Sequence, residues 1–416
     1  MYDRLFSYLN HKSILYPSQH GFQSGHSTSM SLLDIQDRIA AAMDKNEYSI
    51  GIFLDLAKAF DSVDHNILLT KLEHYGIRGT SLDWFTSYLT NRYQRVICNG
   101  FLSNPLPILF GVPQGSILGP LLFLIFINDL PNSSTVLHFI MFADDSNVFF
   151  SHTSYDHLIQ LVNSELMSAS EWFISNKLTL NAKKSNCIVF RSIGKSIPYD
   201  NSQIVLNNIV IPQVPSTKFL GIYIDQHLKW KTHIFEISNK IKKNLGIIKR
   251  VSYLLPLHIL RDLYFTLIYP YLTYCNMIWT STYDSHLNDI RILQKKAIRV
   301  ITKSPPNSHT SPLFFEHKLL NITQIKFLQT CIFMYKYINN LLPPSFFSYF
   351  DPAPHLICTR SSNDFRPVFA RTNVRKFSLG VQGPINWNSL PKEIRLVTSL
   401  SHFKTLARAH TLIYIS

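Results

Sequence analysis

The chain's 416 residues suffice for two or three domains with a sizeable core, and its 46% hydrophobic and 13% aromatic residues exclude wholesale disorder. Its 40 Lys and Arg against 26 Asp and Glu leave a formal charge of +14, which favours a polyanionic partner, nucleic acid or a membrane surface. The excess is one-sided, because residues 1–190 hold 12 basic and 16 acidic side chains while residues 191–416 hold 28 and 10.

Taken in order, "YDRLFSYL" reads as an amphipathic helix. A Gly-punctuated loop leads to a helix capped by Thr28 or Ser29, ahead of Leu32, Leu33, Ile35 and Ile39. "YSIGIFLDL" reads as a buried strand ending at Asp55. Helices are expected near 65–75 and 80–89, then a strand pair, "QRVICNG" with "NPLPILFG", and an apolar helix over 117–129. Two β-rich runs flank Asp144 and Asp145, a long helix spans 155–175, and "TLNAKKSNCIVF" turns into a strand. One further strand is expected near 217–225, which makes this part α/β or α+β. From 226 the pattern is helical and basic, with a boundary loop at 304–312, a helix over about 323–340 and a loop-rich basic stretch.

Cys98, Cys187, Cys275, Cys331 and Cys358 are spaced too widely for a disulfide framework or zinc knuckle, so buried free thiols in a reducing compartment are expected. The apolar run at 117–127 is too short to span a bilayer, and the N-terminus has no signal-peptide core. These features suit an intracellular protein, nuclear and/or cytoplasmic, that is neither secreted nor a membrane partner.

The acids carry the chemistry. Asp144 and Asp145 sit between apolar runs, where a carboxylate is costly unless cations offset it, although an exposed turn would also use Asp. Asp55 ends a second apolar strand. A sheet that sets 49–55 beside 140–150 gathers three carboxylates, hard oxygen ligands suited to Mg²⁺. Two such ions activate an attacking hydroxyl and stabilise a leaving phosphate oxygen. Asp61 lies beyond the strand end and Asp64 suits a helix cap, so neither joins this set.

"FLDLAKAFDSVDH", "GVPQGSILGPLLFLIFINDL", "FADDSNVF", "LTLNAKKSNCIVF" and "KFLGIYID" follow in the order of the reverse transcriptase polymerase motifs. They resemble most closely those of non-LTR retrotransposons (LINE elements of the Jockey/CR1 type), and "QHGFQSGHST" resembles the fingers block just upstream. The likeness covers about residues 1–225, and "LYPYLTYCNMIW" and "WNSLPKEIR" are similar to the tails of such elements. It implies an α+β right-hand polymerase, with partial fingers and a palm holding an antiparallel sheet over 1–225. A helical basic thumb would follow over 226–303, and a helical, loop-rich basic region over 313–416.

The resemblance further implies that Asp55 and Asp144 hold both Mg²⁺ ions, with Asp145 auxiliary. It places Phe60 at the sugar-selecting position, with core packing as the alternative, and Gln114 and Gly115 in the nucleotide-contacting loop. Lys184 would sit near the departing pyrophosphate, with Lys183 as a neighbouring alternative and a solvated Lys pair as the plainer reading. Phe219, Leu220 and Gly221 match the primer grip. Lys229, Lys231, Lys240, Lys242, Lys243, Lys249 and Arg250 populate an expected thumb helix pair with Ile234, Ile241, Leu245 and Ile248, as a template–primer phosphate track. Arg291, Lys295, Lys296 and Arg299 form a second basic stripe.

The implied function is RNA-directed DNA polymerase, with an RNA template, a DNA primer and dNTPs as partners and a separate endonuclease supplying nicks. The family's Arg-Pro-Ile type segment has no counterpart ahead of Met1, which implies an N-terminally truncated copy. The alternatives are an inactive remnant that only binds nucleic acid, and a membrane-surface protein using the basic half.

Overall fold

Seven consecutive residues, Tyr48–Leu54, form a strand that is buried along its whole length, as an interior strand of a sheet covered on both faces must be. This strand organises the computed structural model, which describes residues 1–181, 183–198, 203–350, 364–366 and 368–414. Two units make up the chain. The first is Met1–Ser27, Tyr48–Val189 and Lys195–Val214; the second is Thr28–Glu47, Phe190–Gly194 and Pro215–Ser416.

In chain order the first unit holds α1 (Tyr2–His11) and then β1 (Tyr48–Leu54), with α2 (Thr28–Asp44) belonging to the second unit. Next come α3 (His65–His74), α4 (Thr80–Leu89) and four two-residue strands, β2 (Tyr93–Gln94), β3 (Ile97–Cys98), β4 (Phe101–Leu102) and β5 (Leu106–Pro107). They are followed by α5 (Leu118–Ile127), β6 (His138–Phe142), β7 (Asp145–His152), α6 (Tyr155–Ser175), β8 (Asn186–Phe190), β9 (Ile204–Leu206) and β10 (Ile209–Ile211).

The main sheet has the order β6-β7-β1-β8, with β1 and β6 both antiparallel to β7. Its core joins Ile50, Ile52 and Leu54 to Phe123 and Phe126 of α5 and to Val162, Leu166 and Phe173 of α6. α5 is apolar on every face because nearly all of it is buried. α6 begins at the Ser154 cap and ends after Ser175, matching the helix expected over 155–175.

The strand pair expected around 94–111 is a narrow ribbon, β2 with β5 and β3 with β4. Residues 93–107 of it are all exposed, including Tyr93, Val96, Ile97 and Phe101. Cys98 lies on this ribbon and is exposed, which corrects the expectation that the thiols are buried; Cys187, Cys275 and Cys331 are buried as expected. Cys358 lies outside the described residues.

The second unit starts with α2, which is buried on almost every face rather than on one stripe. The single strand expected near 217–225 is instead a hairpin, β11 (Ser216–Phe219) with β12 (Ile222–Asp225). Its turn residues Leu220 and Gly221 stand at φ +44° and +80°, the double left-handed turn that tight hairpins require. Helices follow: α7 (Lys231–Val251), α8 (Leu257–Leu267), α9 (Tyr269–Thr273), α10 (Asn276–Trp279), α11 (Asn288–Ile301), α12 (Thr310–Glu316) and α13 (Ile322–Ile338). The last are α14 (Asn373–Phe377), α15 (Leu379–Asn388), α16 (Lys392–Arg395) and α17 (Leu400–Tyr414). α13 carries a full capping box, Asn321 with Gln324. α2 packs with α10, α14 and α15, so residues far apart in sequence share one core.

Candidate active site

Asp55 is the first residue past the buried β1, where the apolar run stops and a charge can reach water. Its side chain is 34% exposed. Its backbone is fixed from below. The Asn181 N–H donates to the Asp55 carbonyl (2.8 Å), the Asp55 N–H donates to Ser185 Oγ (3.2 Å), and the Ala57 N–H donates to the Thr179 carbonyl. This bonded segment carries Lys184, whose Nζ lies 3.8 Å from Asp55 Oδ2 with its side chain 70% exposed. An ion pair this exposed contributes little to stability. Its consequence is positional: an exposed cation beside the first carboxylate.

Asp144 and Asp145 sit at the β6–β7 turn, with Phe142 opposite Asp145 across the hairpin. β1 pairs with β7 in a register whose last partners are Leu54 and Ser146. Asp55 follows Leu54 and Asp145 precedes Ser146, so this register brings both acids to the same end of the paired strands. The carboxyls feel one another. Burial first, then the Asp144 and Asp55 charges, push Asp145 up to about 6. Asp144 is raised by burial and by Asp55, against the pull of its own backbone N–H.

Among the described residues, no group of three or more His, Cys, Asp and Glu forms a ready-made metal cage. The donor set still fits a divalent cation. Burial and neighbouring negative charge raise the proton affinity of Asp144 and Asp145, which a bound divalent cation would offset, and Lys184 stands beside Asp55 at the edge.

Phe60 is half-buried, its ring 4.5 Å from that of Phe123 and 6.1 Å from that of Phe22. Gln114 is exposed, and its Nε2 donates to Asp61 Oδ1 (2.8 Å). Two further backbone bonds, Gly111 N–H to the Val63 carbonyl and Val112 N–H to the Phe60 carbonyl, join the 110–114 loop to the turn that bears Phe60. Gly115 has φ +81° and open space where a Cβ would stand, so backbone conformation and clearance both favour glycine there. Asp64 accepts from the Asn66 and Ile67 N–H groups as the cap of α3 and pairs with Lys177 at 2.7 Å, so it is spent on structure as expected.

The remaining candidates belong to the second unit. Phe219 is buried at the end of β11, and the Leu220 carbonyl accepts from the Tyr274 hydroxyl (2.7 Å). Lys240, Lys242, Lys243, Lys249 and Arg250 are all exposed on α7. They occupy one 21-residue helix rather than a pair. Ile234, Ile241 and Ile248 line its buried side, which forces the cations outward. Lys240 rests over the Tyr271 ring.

Sequence reasoning missed Gln19, Asn181 and Ser185. Each acts through partners remote in sequence, so only the "QHGF" and "NAKKS" stretches around them signalled anything.

The family model described as "Reverse transcriptase (RNA-dependent DNA polymerase)" matches residues 1–224. The RNA-directed DNA polymerase from mobile element jockey of Drosophila melanogaster is 31% identical over 69% of this chain and 32% of its own length. The probable RNA-directed DNA polymerase from transposon X-element, also of Drosophila melanogaster, is 28% identical over 72% of this chain and 33% of its own. The chain therefore spans about a third of the length of these relatives. A solved telomerase from Candida albicans is similar over 78% of this chain and 55% of its own, at 14% identity and a TM-score of 0.39. Among the described residues, no helix is long and apolar enough to cross a membrane.

Proposed function

This chain belongs to the reverse transcriptase (RNA-dependent DNA polymerase) family, and from that premise we propose that it extends a DNA primer 3′-hydroxyl with dNTPs on an RNA template, as the polymerase of a Jockey-like non-LTR retrotransposon. The observation that supports this reading is the strand register that pairs Leu54 with Ser146 and so brings Asp55 to the end of the sheet where Asp144 and Asp145 feel its charge.

Reverse transcriptases work with divalent metal ions. Asp55 and Asp144 would hold two Mg²⁺ with Asp145 supporting, and the chemistry such ions would supply is a lowered proton affinity at the primer hydroxyl and neutralised phosphate charge. The chain's own groups do the rest. Lys184, beside Asp55, balances charge on the departing pyrophosphate or donates a proton to it. Phe60 lies against the sugar and excludes a 2′-hydroxyl, its ring stiffened by Phe123 and Phe22. Gln114, held by Asp61, and Gly115 approach the incoming nucleotide. Phe219, Leu220 and Gly221 grip the primer end, and the exposed cations of α7 follow the phosphates of the duplex.

Primer extension tests this reading: a labelled DNA primer on an RNA template, dNTPs and Mg²⁺, with EDTA as control. A product ladder that EDTA abolishes is expected. RNA binding with no incorporation under any divalent ion would defeat the proposal.

A further inference from the structure

We infer that Gln19 is a positioning residue: its side-chain amide clamps the Ala143 turn and so sets the two carboxylates that follow it. This rests on the reading above, in which Asp144 and Asp145 hold the ions.

Gln19 is 2% exposed. Its Oε1 accepts from the Ala143 N–H (3.0 Å) and the Gly21 N–H (2.8 Å), and its Nε2 donates to the Ala143 carbonyl (3.3 Å). Oxygen must face the N–H groups and nitrogen the carbonyl, so these partners leave the amide one orientation. Both backbone groups of Ala143 therefore close onto one side chain.

Ala143 needs such a device. It stands at φ +57°, a left-handed conformation that an alanine adopts reluctantly. The acids beside it repel one another across the turn. The support is itself anchored. Gln19 forms a parallel bridge with Met141 of β6, with the His20 N–H donating to the Met141 carbonyl (2.8 Å) and the Met141 N–H to the Ser18 carbonyl (2.9 Å). Gln23 Nε2 donates to the Gln19 carbonyl (2.6 Å). Gly21 completes the seat, since a Cβ there would collide with the Ala143 backbone nitrogen and stand 2.8 Å from its Cα.

The test compares the full chain with Gln19→Met, which keeps the length and loses both polar atoms, and with Gly21→Ala. Three quantities are read: amide exchange of Ala143 by ¹⁵N NMR, Mn²⁺ affinity by electron paramagnetic resonance, and kcat against KM for primer–template. In both variants we expect Ala143 exchange to quicken and Mn²⁺ affinity to fall, each about tenfold, with kcat falling and KM unchanged. Leu72→Ala, a core truncation in α3, is expected to lower Tm yet keep the wild-type Mn²⁺ affinity.

A folded Gln19→Met with wild-type exchange overturns the clamp. Faster exchange with unchanged Mn²⁺ affinity, or an equal affinity loss in Leu72→Ala, overturns its positioning role. Should the wild-type chain bind no Mn²⁺, the ion-site reading fails on its own account. Ala143 exchange then decides the clamp: lost protection in Gln19→Met upholds it, and retained protection overturns it.

Discussion

The Phe60 ring, which we propose lies against the sugar, also packs on Phe123 and Phe22. Phe60→Val should therefore show two separable effects. Thermal unfolding should register a loss of about 1–2 kcal/mol, scaled down for a half-buried ring. Incorporation assays should show ribonucleotides gaining on dNTPs, and unchanged discrimination would confine Phe60 to packing.

Lys326 gives the pH prediction. Burial pushes its ammonium down to about 8, against the pull of Asp284, while Nζ donates to the Thr280 carbonyl (3.1 Å). With the folded value depressed, the unfolded chain keeps its proton to higher pH. Stability should thus rise as pH climbs from about 8 through 10.5, by on the order of 3 kcal/mol from this residue. Lys326→Met should remove that rise and stabilise the protein at pH 7, as read by denaturant unfolding across this range.

At the scale of elements, the isoleucine face of α7 fixes which way its cations point, as the proposed phosphate track requires. Replacing Lys242 and Lys249, seven residues apart on one face, by Gln should weaken RNA binding and cut the log–log salt slope by roughly 1.5. An unchanged slope would remove that face from the nucleic-acid path.

The elements also show what a single sequence discloses. β1 and α6 were legible because their apolar patterns are long, and that of β1 ends at a clear signal, Asp55. The hairpin at 216–225 was not, because Leu220 adopts a left-handed conformation that leucine does not advertise. The 93–107 ribbon was legible as a pair but not as an exposed one, since its apolar residues read like core. At the site, the acids were readable from strand ends. Gln19 was not, for its role depends on a turn 124 residues away.

The second unit draws its parts from three separate stretches of chain. α2, near the start, is tied to α14 and α15 by Arg375, whose Nη1 lies 3.5 Å from Asp37 Oδ2, and by the Gly380 N–H, which donates to the same oxygen (3.1 Å). Burial raises the Asp37 carboxyl and outweighs the pull of Arg375. Arg375→Ala should leave that carboxyl buried without a countercharge and cost about 3–5 kcal/mol in denaturant unfolding. A loss below 1 kcal/mol would mean this tie does not hold α2.

The central claim is that acids from two distant strands act as one centre for nucleotidyl transfer, and single-turnover addition of one dNTP to a primer on RNA tests it most directly. Asp55→Asn and Asp144→Asn should each slow incorporation by about a thousandfold or more, ~4 kcal/mol of barrier, while RNA affinity stays at the wild-type value. Wild-type incorporation by folded Asp144→Asn would contradict the claim outright.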